Sequence, residues 1–308
     1  MWGAGMLEVE ELVKRFGTST VVDGISLTVG AGEVVGLVGP NGAGKSTTMK
    51  TICGLLRPNS GSVTIQGIAF SDNAQAYLSR LGALVESPAF YPNLNGRDHL
   101  AYLARVRGQY SVALIGNTLA RVGLDSESRK PVRKYSTGMK QRLGIAMAIL
   151  HKPKFLVLDE PTNGLDPAAI VAMRDLLRQL AEDGTAVLVS SHLLSEIQRV
   201  CNRVVFIKAG RVVRNQTIQA GTESIVKMLV RSSNQEAAAV VLAKEDFVFD
   251  VQSSQEGLIC TVSVQNIGRI GAALVRSGLD ILELFPAKGD LEDQYVSEYG
   301  AGMDEGLR

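Results

Sequence analysis

The sequence predicts an α/β protein, a mixed-sheet core with a helical insert, followed by a small C-terminal α+β appendage. Three observations predict it. Strand-length runs with apolar centres, "FLVLDE" and "TAVLVSS", flank the helical pattern "PAAIVAMRDLLRQLAED", the alternation expected of a parallel sheet covered on both faces. Between Tyr77 and His151 the apolar spacing turns mostly helical, as in "RDHLAYLARVRG" and "VALIGNTLARVGL". Near Gln219 the pattern changes again, to strand, helix, strand, strand, helix, strand. The expected division is a domain over 1–218, with its insert at about 87–150, and an accessory domain over 219–308. No low-complexity linker separates them.

Composition sets bounds on what such a chain does. At 308 residues and 45% hydrophobic content it has ample material for a core. A formal net charge of +1, from 32 basic and 31 acidic residues, provides no global field toward nucleic acid or an anionic membrane. No apolar run approaches the roughly 18–20 residues that span a bilayer. The N-terminal "MWGAGMLEVEEL" lacks the basic and apolar regions of a secretory signal, and Met6 could equally be the natural start. Cys53, Cys201 and Cys260 lie far apart and outside metal-ligand spacing, so reduced, packed thiols are expected. The expectation is a cytosolic protein able to dock onto a membrane protein.

Taken in order, the strands "LEVEELVKRF", "ISLTV" and "EVVGLV" lead into "GPNGAGKSTTMK", Gly39 to Lys50. A strand before this loop and a helix after it, with Gly39, Gly44, Lys45 and Ser46 at fixed spacing, fit a phosphate-binding loop. Glycines let the backbone turn tightly and aim N–H groups at phosphate oxygens, and the helix N-terminus adds its dipole. The cradle is expected to be Gly39, Pro40, Asn41, Gly42, Ala43, Gly44, Lys45, Ser46 and Thr47. Lys45 reaches the terminal phosphates, and the Ser46 hydroxyl ligates Mg²⁺. "FLVLDEP" ends a buried strand on two carboxylates: Asp159 is placed to hold Mg²⁺ and Glu160 to polarise an attacking water. No Asn-Lys-x-Asp guanine-reading motif occurs, which disfavours a GTPase.

"YSTGMKQRLGIAMAIL", Tyr135 to Leu150, resembles the signature motif of ATP-binding cassette (ABC) ATPases, whose usual core reads LSGGQ. Ser136 is able to cap the helix that follows, and Gly138 leaves its backbone open to a phosphate. Further marks follow that pattern. "NGLDP" resembles the D-loop, with Asp166 its acidic residue. His192 in "SSHLLSEI" stands where the family keeps a histidine that contacts the γ-phosphate. Phe16 matches the aromatic that stacks on adenine, the alternative being a packing role. The resemblance covers Leu7 to about Val213 and implies the P-loop NTPase fold of ABC type.

One position departs from the pattern. "LVESPAFYPNL" places Glu86 where most such proteins carry glutamine. Both offer Mg²⁺ a hard oxygen, so metal binding survives, and the extra charge must be offset nearby. Glutamate here resembles the branch that serves bacitracin, lantibiotic and other antibiotic or peptide transport with a separate permease. The resemblance therefore implies an ATPase using ATP and Mg²⁺, with Lys45, Glu160 and His192 catalytic and Ser46, Asp159 and Glu86 on the metal. It implies a dimer, or a pair with a related subunit, closed by ATP. The chain would sit on the inner face of the membrane through its permease, and would contact no nucleic acid. The segment from Glu86 to about Tyr102, with Phe90, Tyr91 and Leu94, would transmit motion to the permease or would pack the insert. The tail "LEDQYVSEY" resembles the "LED-x-F" ending common in that branch, which implies a dimerising or regulatory element, stabilisation of the sheet edge being the alternative. A non-transport signalling ATPase on a membrane partner is the alternative.

Overall fold

The computed structural model describes residues 5–86, 88–124, 129–191, 200–218, 225–254, 256–263 and 266–287. The chain divides into two compact units, Met1–Ile218 and Gln219–Arg308.

The first unit opens with an antiparallel sheet. β1 (Leu7–Phe16) pairs with β2 (Ser19–Val29) and β4 (Ser60–Ile65), and β5 (Ile68–Ala69) closes the far edge. A six-stranded sheet holds the apolar runs of β3 (Val34–Val38), β6 (Leu81–Leu84), β7 (Phe155–Leu158) and β8 (Ala186–Ser191), with β9 (Arg203–Lys208) and the more polar β10 (Arg211–Thr217) at one side. Its order is β10-β9-β3-β8-β7-β6, parallel throughout except for the β9–β10 hairpin. Every residue of β3, β7 and β8 is buried, as strands covered on both faces require. The helices of this unit are α1 (Lys45–Ile52), α2 (Ala74–Arg80), α3 (Gly96–Val106), α4 (Val112–Arg121), α5 (Thr137–Ile149) and α6 (Pro167–Glu182).

One strand lies inside the stretch whose spacing reads as mostly helical. β6 is four residues, "LGAL", at the sheet edge beside β7. A run that short has no period of its own, and the helical pattern on either side hides it. Between the two sheets a core gathers Leu12, Ile25, Leu37, Met49, Ile52, Tyr77, Val157 and Leu188. Burying each such aliphatic side chain contributes about 1.5–3 kcal/mol relative to exposure. Arg203, nearly buried, grips both Glu33 oxygens at 2.7 and 3.0 Å, and Asn202 accepts the Val34 N–H at 2.7 Å, fixing where β3 starts.

The second unit is β11 (Ile225–Ser232), α7 (Gln235–Leu242), β12 (Val248–Ser253), β13 (Leu258–Ser263), α8 (Ile267–Arg276) and β14 (Ile281–Pro286). Its antiparallel sheet runs β12-β13-β11-β14, a split βαβ arrangement with its own core around Met228, Val230, Cys260 and Leu274. Cys53, Cys201 and Cys260 are buried and free, and burial raises each thiol above its usual range, Cys53 to about 12. No helix among the described residues is long and apolar enough to cross a membrane.

Candidate functional site

The glycine-rich loop leaves β3 and turns into α1. The N-cap of α1 is Gly44 at φ 104°, with no side-chain cap, so the first N–H groups of the helix are left for an anion. A Cβ on Gly44 would stand 2.7 Å from the Val21 carbonyl oxygen, and one on Gly39 would stand 2.2 Å from that of Ile207. Glycine alone lets β2 and β9 close on the loop. The turn between β9 and β10 braces it further, since Gly210 N–H donates to Ala43 O at 3.0 Å and Asp23 N–H to Gly210 O at 2.8 Å. Asn41, Gly42 and Ser46 are exposed, Pro40 and Thr47 half-buried, and Ala43 buried.

Lys45 is 6% exposed, and its Nζ donates to Gly39 O at 2.7 Å and Pro40 O at 3.1 Å. Burial holds its amino group below the usual lysine range, and the nearby Glu160 and Asp159 carboxylates oppose that shift. The parallel sheet brings the three together: β7 lies two strands from β3, and both strands end at the same edge. Asp159 N–H donates to Leu84 O at 2.8 Å, continuing the ladder one residue past β7. Glu160 takes a left-handed φ of 48°, which turns the chain sharply after Asp159. The Ser190 hydroxyl, fully buried, contacts both residues: it donates to Asp159 Oδ1 at 2.5 Å and accepts the Glu160 N–H at 2.9 Å. In the sequence Ser190 reads only as the end of an apolar run. A hydroxyl at the last turns of an otherwise aliphatic strand is the signal that could have singled it out.

Glu86, two residues past β6, also has a left-handed φ, 64°. It is exposed, and its carboxylate pairs with Lys50 on α1, a partner the sequence reading did not name. Phe16 ends β1 with 48% of its surface exposed, and Lys14 Nζ lies 5.1 Å from its ring centroid. That exposure leaves a ring face for stacking and argues against a packing role.

Ser136 caps α5, accepting the Met139 N–H at 3.2 Å, and Asp166 caps α6, accepting the Ala169 N–H at 2.8 Å. The two helix starts touch. A Cβ on Gly138 would meet Leu165 Cδ2 at 3.5 Å and Ala169 Cβ at 3.8 Å. The signature stretch and the "NGLDP" turn therefore form one local surface. Phe90 stacks edge-on against His99 at 5.6 Å, while Tyr91 is 59% exposed and stands edge-on to Tyr102. A groove of about 330 Å³ runs beside these residues, with β6, Leu103, Arg107, Met147 and His151 among its walls. His192 and "LEDQYVSEY" lie outside the described residues.

The groups expected from the sequence to hold a cation, the Ser46 hydroxyl and the Asp159 and Glu86 carboxylates, are all hard oxygens. Among the described residues no three acidic, histidine or cysteine groups form a cage. That set suits Mg²⁺, which keeps several waters and takes the rest of its shell from substrate phosphates.

A family profile described as ABC transporter matches residues 22–163. The ABC transporter ATP-binding protein YdbJ of Bacillus subtilis is 39% identical over 98% of this chain and 97% of that protein. The bacitracin transport ATP-binding protein BcrA of Bacillus licheniformis is 37% identical over 96% and 98%. A solved ATP-binding subunit of an ABC transporter matches with a TM-score of 0.64 at 33% identity, covering 69% of this chain and 90% of that one.

Proposed function

The chain belongs to the ABC transporter family as an ATP-binding, ATP-hydrolysing subunit, and on that premise we propose that two copies close on ATP to drive a separate membrane permease that exports an antibiotic, peptide or other amphiphile. The observation that carries the reading is the convergence of Lys45, Asp159 and Glu160 at one sheet edge, beside a helix N-terminus with no side-chain cap. The cradle from Gly39 to Thr47 binds the phosphates by its N–H groups, with Lys45 neutralising charge on the terminal ones. Phe16 stacks on the adenine. Ser46, Asp159 and Glu86 would hold Mg²⁺, which when bound would supply positive charge against the phosphates. Glu160 orients and deprotonates the attacking water, and His192 contacts the γ-phosphate.

The second copy completes the site. Ser136 and Gly138 start a helix beside the Asp166 turn, and this surface faces a γ-phosphate held by the partner copy. ATP favours the closed pair because its γ-phosphate makes contacts that ADP lacks, and loss of that group lets the copies part. The groove beside β6 and the exposed Tyr91 receive a cytoplasmic segment of the permease and carry the motion outward. The subunit is then peripheral on the cytoplasmic face of the membrane. The likeness to BcrA over nearly the whole chain, and glutamate at position 86, support the export branch. The second unit serves as a dimerising or regulatory element.

The test is Glu160→Gln in the full chain with ATP and Mg²⁺. Loss of hydrolysis together with a nucleotide-dependent dimer supports the proposal. A variant that stays monomeric under saturating ATP and Mg²⁺, even with its membrane subunit, overturns it.

A further inference from the structure

Ser190 sits where two parts of the machinery meet. β8 lies between β3, which feeds the phosphate loop, and β7, which ends at Asp159. Register places Ser190 beside Leu37 on β3 and the preceding Val189 beside Leu158 on β7, so Ser190 stands level with Asp159. Residues level with each other on parallel strands project to the same face of the sheet. The serine hydroxyl therefore meets the aspartate, and at 2.5 Å the bond is short, as a hydroxyl bonded to a carboxylate is.

The same oxygen accepts the N–H of Glu160 at 2.9 Å, and Glu160 occupies a left-handed φ that L residues seldom adopt. One fully buried hydroxyl thus ties up one carboxylate oxygen of Asp159, leaving the other for the cation side, and pins the backbone of Glu160 in its unusual turn. We propose that Ser190 is a positioning residue for ATP hydrolysis, holding the metal-side carboxylate and the water-activating glutamate in fixed mutual geometry. The proposal rests on the roles given above to Asp159 and Glu160. It adds that their alignment depends on a third side chain from the neighbouring strand.

The full chain tests it in three variants. Ser190→Ala removes the hydroxyl, Ser190→Thr keeps it, and Ser190→Cys keeps the shape with a weak donor. Steady-state ATPase kinetics and Mn²⁺ binding, followed by electron paramagnetic resonance with a non-hydrolysable ATP analogue, are read on each variant. Ser190→Ala is expected to lower kcat by about 10- to 100-fold and to weaken Mn²⁺, with KM for ATP little changed. Ser190→Thr is expected to recover most of both. A folded Ser190→Ala that keeps the parental kcat and Mn²⁺ affinity overturns the proposal. If the alanine variant does not fold, Ser190→Cys decides by the same two readouts. Glu160→Gln run in parallel separates the two levels: parental hydrolysis there removes the role of Glu160, whereas the Mn²⁺ affinity of the serine variants still reports on Asp159.

Discussion

The strand ends at Asp159 and Ser190 and the exposed positions Glu86 and Phe16 hold candidate functional side chains by opposite means. Asp159 and Glu160 are fixed by sheet register, by a backbone bond to Leu84 and by a buried hydroxyl. Glu86 and Phe16 are exposed, each touched by a single lysine, Lys50 or Lys14. The difference follows from the tasks. Groups proposed to act on the reacting atoms need close placement, and register with the buried hydroxyl supplies it for Asp159 and Glu160. Glu86 and Phe16, proposed to meet the metal and the base, stand at the surface instead.

The largest effects are expected at the strand ends. Glu160→Gln is expected to slow hydrolysis by about 10²- to 10⁴-fold while leaving nucleotide binding intact, measured by phosphate release and by a fluorescent ATP analogue. If hydrolysis persists, the two carboxylates are structural and the contrast disappears. Gly44→Ala attacks the same region through the backbone, forcing a Cβ against Val21 O at a left-handed φ. It should destabilise the fold by about 1–3 kcal/mol, seen as a lower thermal midpoint, and weaken ATP binding with it.

At the exposed end the effects shrink. Phe16→Ala should weaken ATP by about 1–2 kcal/mol without lowering the thermal midpoint, whereas Phe16→Trp retains binding. Loss of stability without loss of affinity would return that ring to the core. Lys50→Met and Glu86→Gln each break an exposed ion pair, so each should alter stability by no more than about 1 kcal/mol. Glu86→Gln is expected to keep ATPase activity and to change transport per ATP hydrolysed. Parental rates for both would deny the glutamate a special role.

The smallest effect concerns pH. Burial, with help from the charge of Arg107, lowers the pKa of His151, although its Nε2–H bonds Leu81 O at 2.9 Å and opposes the shift. A histidine held neutral when folded but protonated at its ordinary pKa when unfolded favours the unfolded state as pH falls. Thermal stability should therefore drop from about pH 6.5 downward through the lowered value. His151→Gln should flatten that dependence.

The rigid half of the site was largely legible in the sequence, because each motif is contiguous and carries its chemistry in its own spacing. "GPNGAGKS" and "FLVLDE" announce a cradle and two carboxylates whatever surrounds them. The order of elements in the second unit was legible for a similar reason, since its strands and helices alternate cleanly. What stayed hidden depends on pairing between distant segments. Ser190 meets Asp159 from 31 residues away, and Lys50 meets Glu86 from 36. Nothing in the local spacing marks either pair. β6 was hidden by brevity, being visible only through its partner β7.

The sheet order also decides what can be cut from this chain. Residues 22–163, the span matched by the family profile, include the glycine cradle, both acidic groups and the signature helix. Yet β8 and β9, the two neighbours of β3, begin at Ala186 and Arg203, and β1 begins at Leu7. An excised fragment with those limits would leave its central strand bare on both edges, a template for aggregation instead of an enzyme.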